Sequence, residues 1–95
     1  MKVILSDSAR EEITNRNTGQ QMMRVYVAGI GWGGPRLGLS LDEIKSTDLV
    51  KDIDGVKIII DKDLEGQYEE IFVDYVKFLF KKRFFVAPTN GGQCR

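Results

Sequence analysis

The chain of 95 residues carries 14 basic and 14 acidic side chains, a formal net charge of zero, no histidine and a single cysteine, Cys94. That length sets one domain with a modest core, and the balanced charge gives no strong electrostatic pull toward nucleic acid or an anionic membrane. The lack of histidine removes the commonest general base and nitrogen metal ligand, and a lone thiol excludes an intrachain disulfide and suits a reducing compartment.

The opening apolar run Val3-Ile4-Leu5 reads as a short strand and is too short for the core of a signal peptide. No apolar run approaches the length of a membrane span, so a cytoplasmic protein is expected. Asp7 has the side chain of a helix N-cap, and acids follow at Glu11 and Glu12, which predicts a helix over residues 8–15. Ala9 and Ile13, four residues apart, are its only apolar positions, so the helix is expected on the surface, covering a sheet edge.

Residues 22–28 alternate as a strand with both faces at least partly covered, and residues 36–41 alternate Leu37, Leu39 and Leu41 with small or polar residues as a half-buried strand. Between them lie Gly29, Gly31, Gly33, Gly34 and Pro35, with Trp32 as the one large side chain near the tip. This predicts a wide antiparallel hairpin whose glycine-rich loop is the place to look for function. Asp54-Gly55 between residues 48–53 and 56–61 predicts a tight hairpin, because both residues tolerate positive φ.

Residues 62–68 are expected as a short helix or turn weakened by Gly66, residues 71–78 as a strand, and residues 83–87 as the last strand. Lys77, Lys81, Lys82 and Arg83 are interleaved with Phe78, Phe80, Phe84 and Phe85, a mixture found on some nucleic-acid surfaces. The simpler reading makes the phenylalanines core and places the basic residues in the turn. The fold class is therefore mainly β with helix content, a domain over residues 1–88 and a flexible glycine-rich tail over residues 89–95.

The order of these elements resembles the HesB/IscA-like family, the A-type carriers of iron–sulfur cluster assembly. The residues that carry the likeness are Ser6-Asp7-Ser8-Ala9, Gly34-Pro35-Arg36-Leu37-Gly38-Leu39, Asp42-Glu43, Asp54-Gly55, Asp74-Tyr75-Val76 and Phe84 to Pro88 before the tail. Gly33-Gly34-Pro35-Arg36 looks like the short HesB-like branch. The resemblance implies a compact sandwich or pseudobarrel of about seven strands with an N-terminal helix. It also implies dimers, cluster donors and acceptors as partners, and iron or an iron–sulfur cluster held by three cysteines.

In this chain Trp32 stands at the family's first cysteine position, flanked by Gly31, Gly33 and Gly34, and indole cannot ligate a metal. Cys94 matches the first cysteine of the tail, and the second would fall just after Arg95. Selenocysteine codons misread as Trp and as stop would account for both departures, as would ordinary divergence.

Two functional readings are open: a carrier with Cys94 as the remaining metal ligand and partner-dependent ligation, or a metal-free interaction module contacting its partner through Trp32. Trp32 itself is an exposed anchor, a cap folded onto the core, or a filler of the space where a cluster would sit. Asp42 and Glu43 offer hard oxygen ligands or simply a solvated strand end. Gly31-Trp32-Gly33-Gly34-Pro35 lacks the Gly-Lys-Ser/Thr ending of a phosphate loop, and no nucleophile is paired with a base, so neither nucleotide binding nor independent catalysis is expected.

Overall fold

The computed structural model describes residues 1–32 and 34–89. The elements in chain order are β1 (Lys2–Leu5), α1 (Asp7–Arg16), β2 (Gln21–Gly31), β3 (Gly34–Glu43), β4 (Leu49–Ile53), β5 (Val56–Ile60), α2 (Lys62–Glu65), β6 (Glu70–Phe78) and β7 (Lys81–Pro88). Seven strands form one sheet in the order β1-β6-β7-β3-β2-β5-β4. Its two edge strands, β1 and β4, come back within 8 Å of each other between Cα atoms, so the sheet curls into a nearly closed barrel.

The three antiparallel hairpins β2–β3, β4–β5 and β6–β7 are local in sequence, whereas β1–β6 and β2–β5 are parallel. Asp54 and Gly55 take φ of 54° and 92° in the two-residue turn between β4 and β5, as the sequence predicts. The core gathers Val3, Leu5, Met23, Val25, Ile58, Ile60, Ile71 and Val73 from alternate positions of four strands.

Helix α1 begins one residue earlier than expected, and its N-cap is Ser6, whose Oγ accepts a hydrogen bond from the Ala9 amide at 3.1 Å. The helix does not cover a sheet edge. Ala9 and Ile13 are fully buried, and α1 packs against β1, β2, β5 and β6, closing the concave side of the barrel. Two small or branched residues at i, i+4 suffice because the concave face supplies the remaining apolar wall.

β3 and β7 share a single ladder pair, Leu37↔Val86. Carrying that antiparallel register two residues further would bring Pro35 opposite Pro88, and neither has an amide hydrogen to donate. The ladder stops there, and a groove of about 440 Å³ opens between the strands, lined by Pro35, Arg36, Phe84, Phe85 and Pro88 among others. Thr89, expected in the tail, is tied to β6 by its amide donating to the Glu70 carbonyl at 3.2 Å.

Candidate functional site

The glycine-rich stretch is mostly strand. The β2–β3 ladder runs through Gly29↔Arg36 and Ile30↔Pro35 to Gly31↔Gly34, so most of the expected wide loop is paired strand. Glycines weaken strands and so point to a loop, yet here Gly29, Gly31 and Gly34 pair while a bulge between Val27 and Gly29 re-aims the hairpin end. Gly34 has φ of 110°, a value that strains any side chain. At Gly31 a Cβ would sit 2.8 Å from Arg36 Nε, because the Arg36 side chain lies across the glycine.

Trp32 is fully exposed and Ile30 is 78% exposed, so the indole does not cap the core. Both project from the end of the hairpin where β3 starts and β7 finishes. Gly33 and Cys94 lie outside the described residues. Among the described residues no three His, Cys, Asp or Glu side chains are grouped to hold a metal ion. The described side chains therefore do not fit an iron–sulfur cluster by themselves: Trp32 offers no ligand atom, and Asp42 is engaged elsewhere.

Asp42 belongs to a charge cluster around Arg24. The Arg24 guanidinium, 7% exposed, donates to Asp42 Oδ2 at 2.9 Å, to Asp48 at 2.6 and 2.7 Å, to Asp61 Oδ1 at 2.5 Å and to the Glu43 carbonyl at 3.0 Å. Asp48 and Asp61 flank the paired residues Leu49 and Ile60 at one end of the β4–β5 ladder, so two like charges meet there and Arg24 neutralises them. The bonds from Arg24 hold the Asp48 carboxyl down to about 2, and those to Asp48 raise Arg24 further above its ordinary range. Asp42 is lowered chiefly by the Glu43 amide it accepts from, and then by Arg24.

Sequence reasoning missed this cluster. Its signal was a lone cation inside the apolar run of β2, with acids at the ends of three neighbouring strands.

A second constellation joins the two segments Ser6-Asp7-Ser8-Ala9 and Asp74-Tyr75-Val76. Ser6 Oγ donates to Asp74 Oδ1 at 2.6 Å and Ser8 Oγ to the same oxygen at 3.1 Å, which lowers the Asp74 carboxyl below its usual range. Asp74 thus secures the helix cap to β6.

No family model matches the chain. Across 83 residues, 86% of this chain and 73% of the relative, it is 32% identical to the iron–sulfur cluster insertion protein ErpA of Hamiltonella defensa subsp. Acyrthosiphon pisum (strain 5AT). The chain belongs to the HesB/IscA-like family. It is also 35% identical over 84 residues to the iron–sulfur cluster insertion protein ErpA of Xylella fastidiosa (strain M12), where it spans 65% of the relative's length.

The crystal structure of IscA with the [2Fe-2S] cluster superimposes with a TM-score of 0.69 at 27% identity, covering 96% of this chain and 86% of that one. That of Escherichia coli SufA, involved in biosynthesis of iron–sulfur clusters, gives 0.64 at 20% identity over 93% and 86% of the two chains, and speaks for the fold alone. This HesB/IscA-like chain accordingly has the mainly β, seven-stranded architecture of its family and belongs with iron–sulfur cluster assembly proteins.

Proposed function

We propose that this chain is a cytoplasmic, non-enzymatic carrier in iron–sulfur cluster assembly, taking iron or a cluster as cargo from a donor protein and handing it to an acceptor. The observation that carries the reading is its likeness to a cluster insertion protein over 86% of its length. Cys94 supplies the thiolate of each protomer, a homodimer supplies two, and the remaining ligands come from a partner or a small thiol. The turn Gly31-Trp32-Gly33-Gly34 shapes the cargo's surroundings. In support, Pro35 and Pro88 line one groove, so β7 delivers the chain that leads to Cys94 beside this turn.

Anaerobic reconstitution with iron and sulfide, read by visible absorbance and bound iron per chain, tests this directly. Thiolate-to-iron absorption that disappears in Cys94→Ser is the expected result; a folded protein that stays colourless at every thiol concentration overturns it.

A second reading is favoured by the full exposure of Trp32 beside exposed Ile30: a metal-free interaction module that binds its partner through this tip. In that case Cys94→Ser leaves partner binding unchanged and Trp32→Ala abolishes it.

A further inference from the structure

The balanced total charge conceals a segregation. Residues 75–89 hold Lys77, Lys81, Lys82 and Arg83 and no acid. They form the β6–β7 hairpin, and among the described residues its outer half has no neighbour in the sheet. β1 pairs with β6 only through Val73, and β3 meets β7 only at Val86. The base of this arm is clamped by Arg16, whose guanidinium lies 5.7 Å from the Tyr75 ring centre and 5.3 Å from that of Phe84. Beyond the clamp the rungs Val76↔Arg83, Lys77↔Lys82 and Phe78↔Lys81 project alone.

Three features of the arm are unfavourable for the protein in water. Leu79, in the two-residue turn, takes φ of 60°, a conformation natural to glycine and strained for leucine. Leu79 and Phe80 are 74% and 93% exposed and Phe85 is 53% exposed, which corrects the expectation of core for Phe80 and Phe85, whereas Phe84 packs against the core as expected. Lys77 and Lys82 stand directly opposite each other, a like-charge cross-strand pair, and none of the four cations has an ion-pair partner among the described residues.

An anionic apolar interface relieves the last two of these together. We propose that the Leu79–Phe80 tip inserts into an anionic lipid surface, with Lys77, Lys81, Lys82 and Arg83 as a collar at the headgroups. Charge complementarity selects this occupant. A second copy would bring two cationic arms together, and the tip offers a single-stranded nucleic acid one exposed ring, Phe80, beside the aliphatic Leu79 rather than the run of rings on which successive bases stack. The exposed tip stands beyond the rest of the sheet, and a bilayer receives such a finger without a shaped pocket.

The full chain is mixed with phosphatidylcholine vesicles with and without phosphatidylglycerol and sedimented. Binding is expected only with phosphatidylglycerol and weakens as salt rises. Leu79→Gly with Phe80→Asn keeps turn-compatible residues, so the fold survives, and partitioning falls roughly tenfold or more. Lys81→Glu with Lys82→Glu abolishes it by charge.

Position provides an internal control. β3 and β7 are antiparallel, so the Phe80 tip and Trp32 lie at opposite ends of the sheet. Added vesicles leave Trp32 emission unchanged, while Phe80→Trp in a Trp32→Phe background shifts to the blue. Several results would overturn the proposal: no binding to phosphatidylglycerol, binding unchanged by Leu79→Gly with Phe80→Asn, a blue shift of Trp32 itself, or preferential binding of the arm to a single-stranded oligonucleotide or an acidic protein.

Discussion

Arg24 Nη2 and Asp48 Oδ2 lie 2.6 Å apart with side chains 7% and 6% exposed, the one ion pair among the described residues in which both side chains are buried. Removing the cation leaves Asp48 near Asp61 with only the Lys45 amide, which donates to Asp48 Oδ2 at 2.7 Å, to compensate it. Arg24→Met should destabilise the fold by roughly 3 kcal/mol, measured by urea unfolding. Arg24→Met combined with Asp48→Leu should recover part of that loss, since it removes both charges of the buried pair.

The same pair sets the acid limit of stability. The Asp48 carboxyl is held at about 2 in the folded chain, below its unfolded value near 4. Asp42, Glu65 and Asp74 are shifted in the same direction. The unfolded state therefore binds more protons in this range, and stability is present above about pH 4 and is lost as pH falls toward 2. Thermal midpoints recorded against pH should fall across that window, and Asp48→Asn should flatten the fall while lowering the plateau at neutral pH.

Gly38 faces Tyr26 across the β2–β3 ladder, and a Cβ at position 38 would meet the tyrosine ring at 3.0 Å. Gly38→Ala should cost about 1–2 kcal/mol by forcing the ring aside. In a Tyr26→Ala background the penalty should vanish, which a double-mutant cycle reads directly.

Glycines of the hairpin end differ in what they require. Gly34→Ala should destabilise by about 1 kcal/mol because φ is 110°. Gly29→Ala, which meets nothing within 4 Å and has no positive φ, should fall within the scatter of a surface change. Equal effects at both positions would contradict the turn geometry.

Ser6 works at two places, capping α1 and donating to Asp74. Ser6→Ala should cost about 1–2 kcal/mol, at the upper end for a lost N-cap, since Asp74 also loses a partner. Ser6→Asp keeps a capping acceptor but opposes Asp74, so it should not rescue.

Local chemistry made most of the elements legible. Asp54-Gly55 announces its hairpin because positive φ is written in the residue types, and the alternation of Leu37, Leu39 and Leu41 announces β3. The glycines at positions 29, 31 and 34 misled, since their low strand propensity is overridden by a ladder already in register. Ser6 rather than Asp7 caps the helix because Asp74, distant in sequence, fixes its side chain.

The parallel pairings and Arg24's three carboxylates were beyond reach for the same reason: nothing local specifies which distant strand arrives. Exposure of the β6–β7 tip was likewise hidden. Alternation assigns residues to faces of a strand, but only the tertiary arrangement says whether anything lies over them. For the candidate site, the position of Trp32 was readable and its outward direction was not.

The pairing of β1 with β6 also bears on how the protein is made. The first strand leaves the ribosome long before its partner at residues 70–73 exists, so Val3 and Leu5 wait with their apolar faces uncovered. Helix α1 lacks Asp74 and most of its seat during the same interval. The N-terminal part of the fold therefore stays unfinished until β6 has emerged, and sequestration of the nascent β1 by a chaperone would matter more here than in a helical fold built from local contacts.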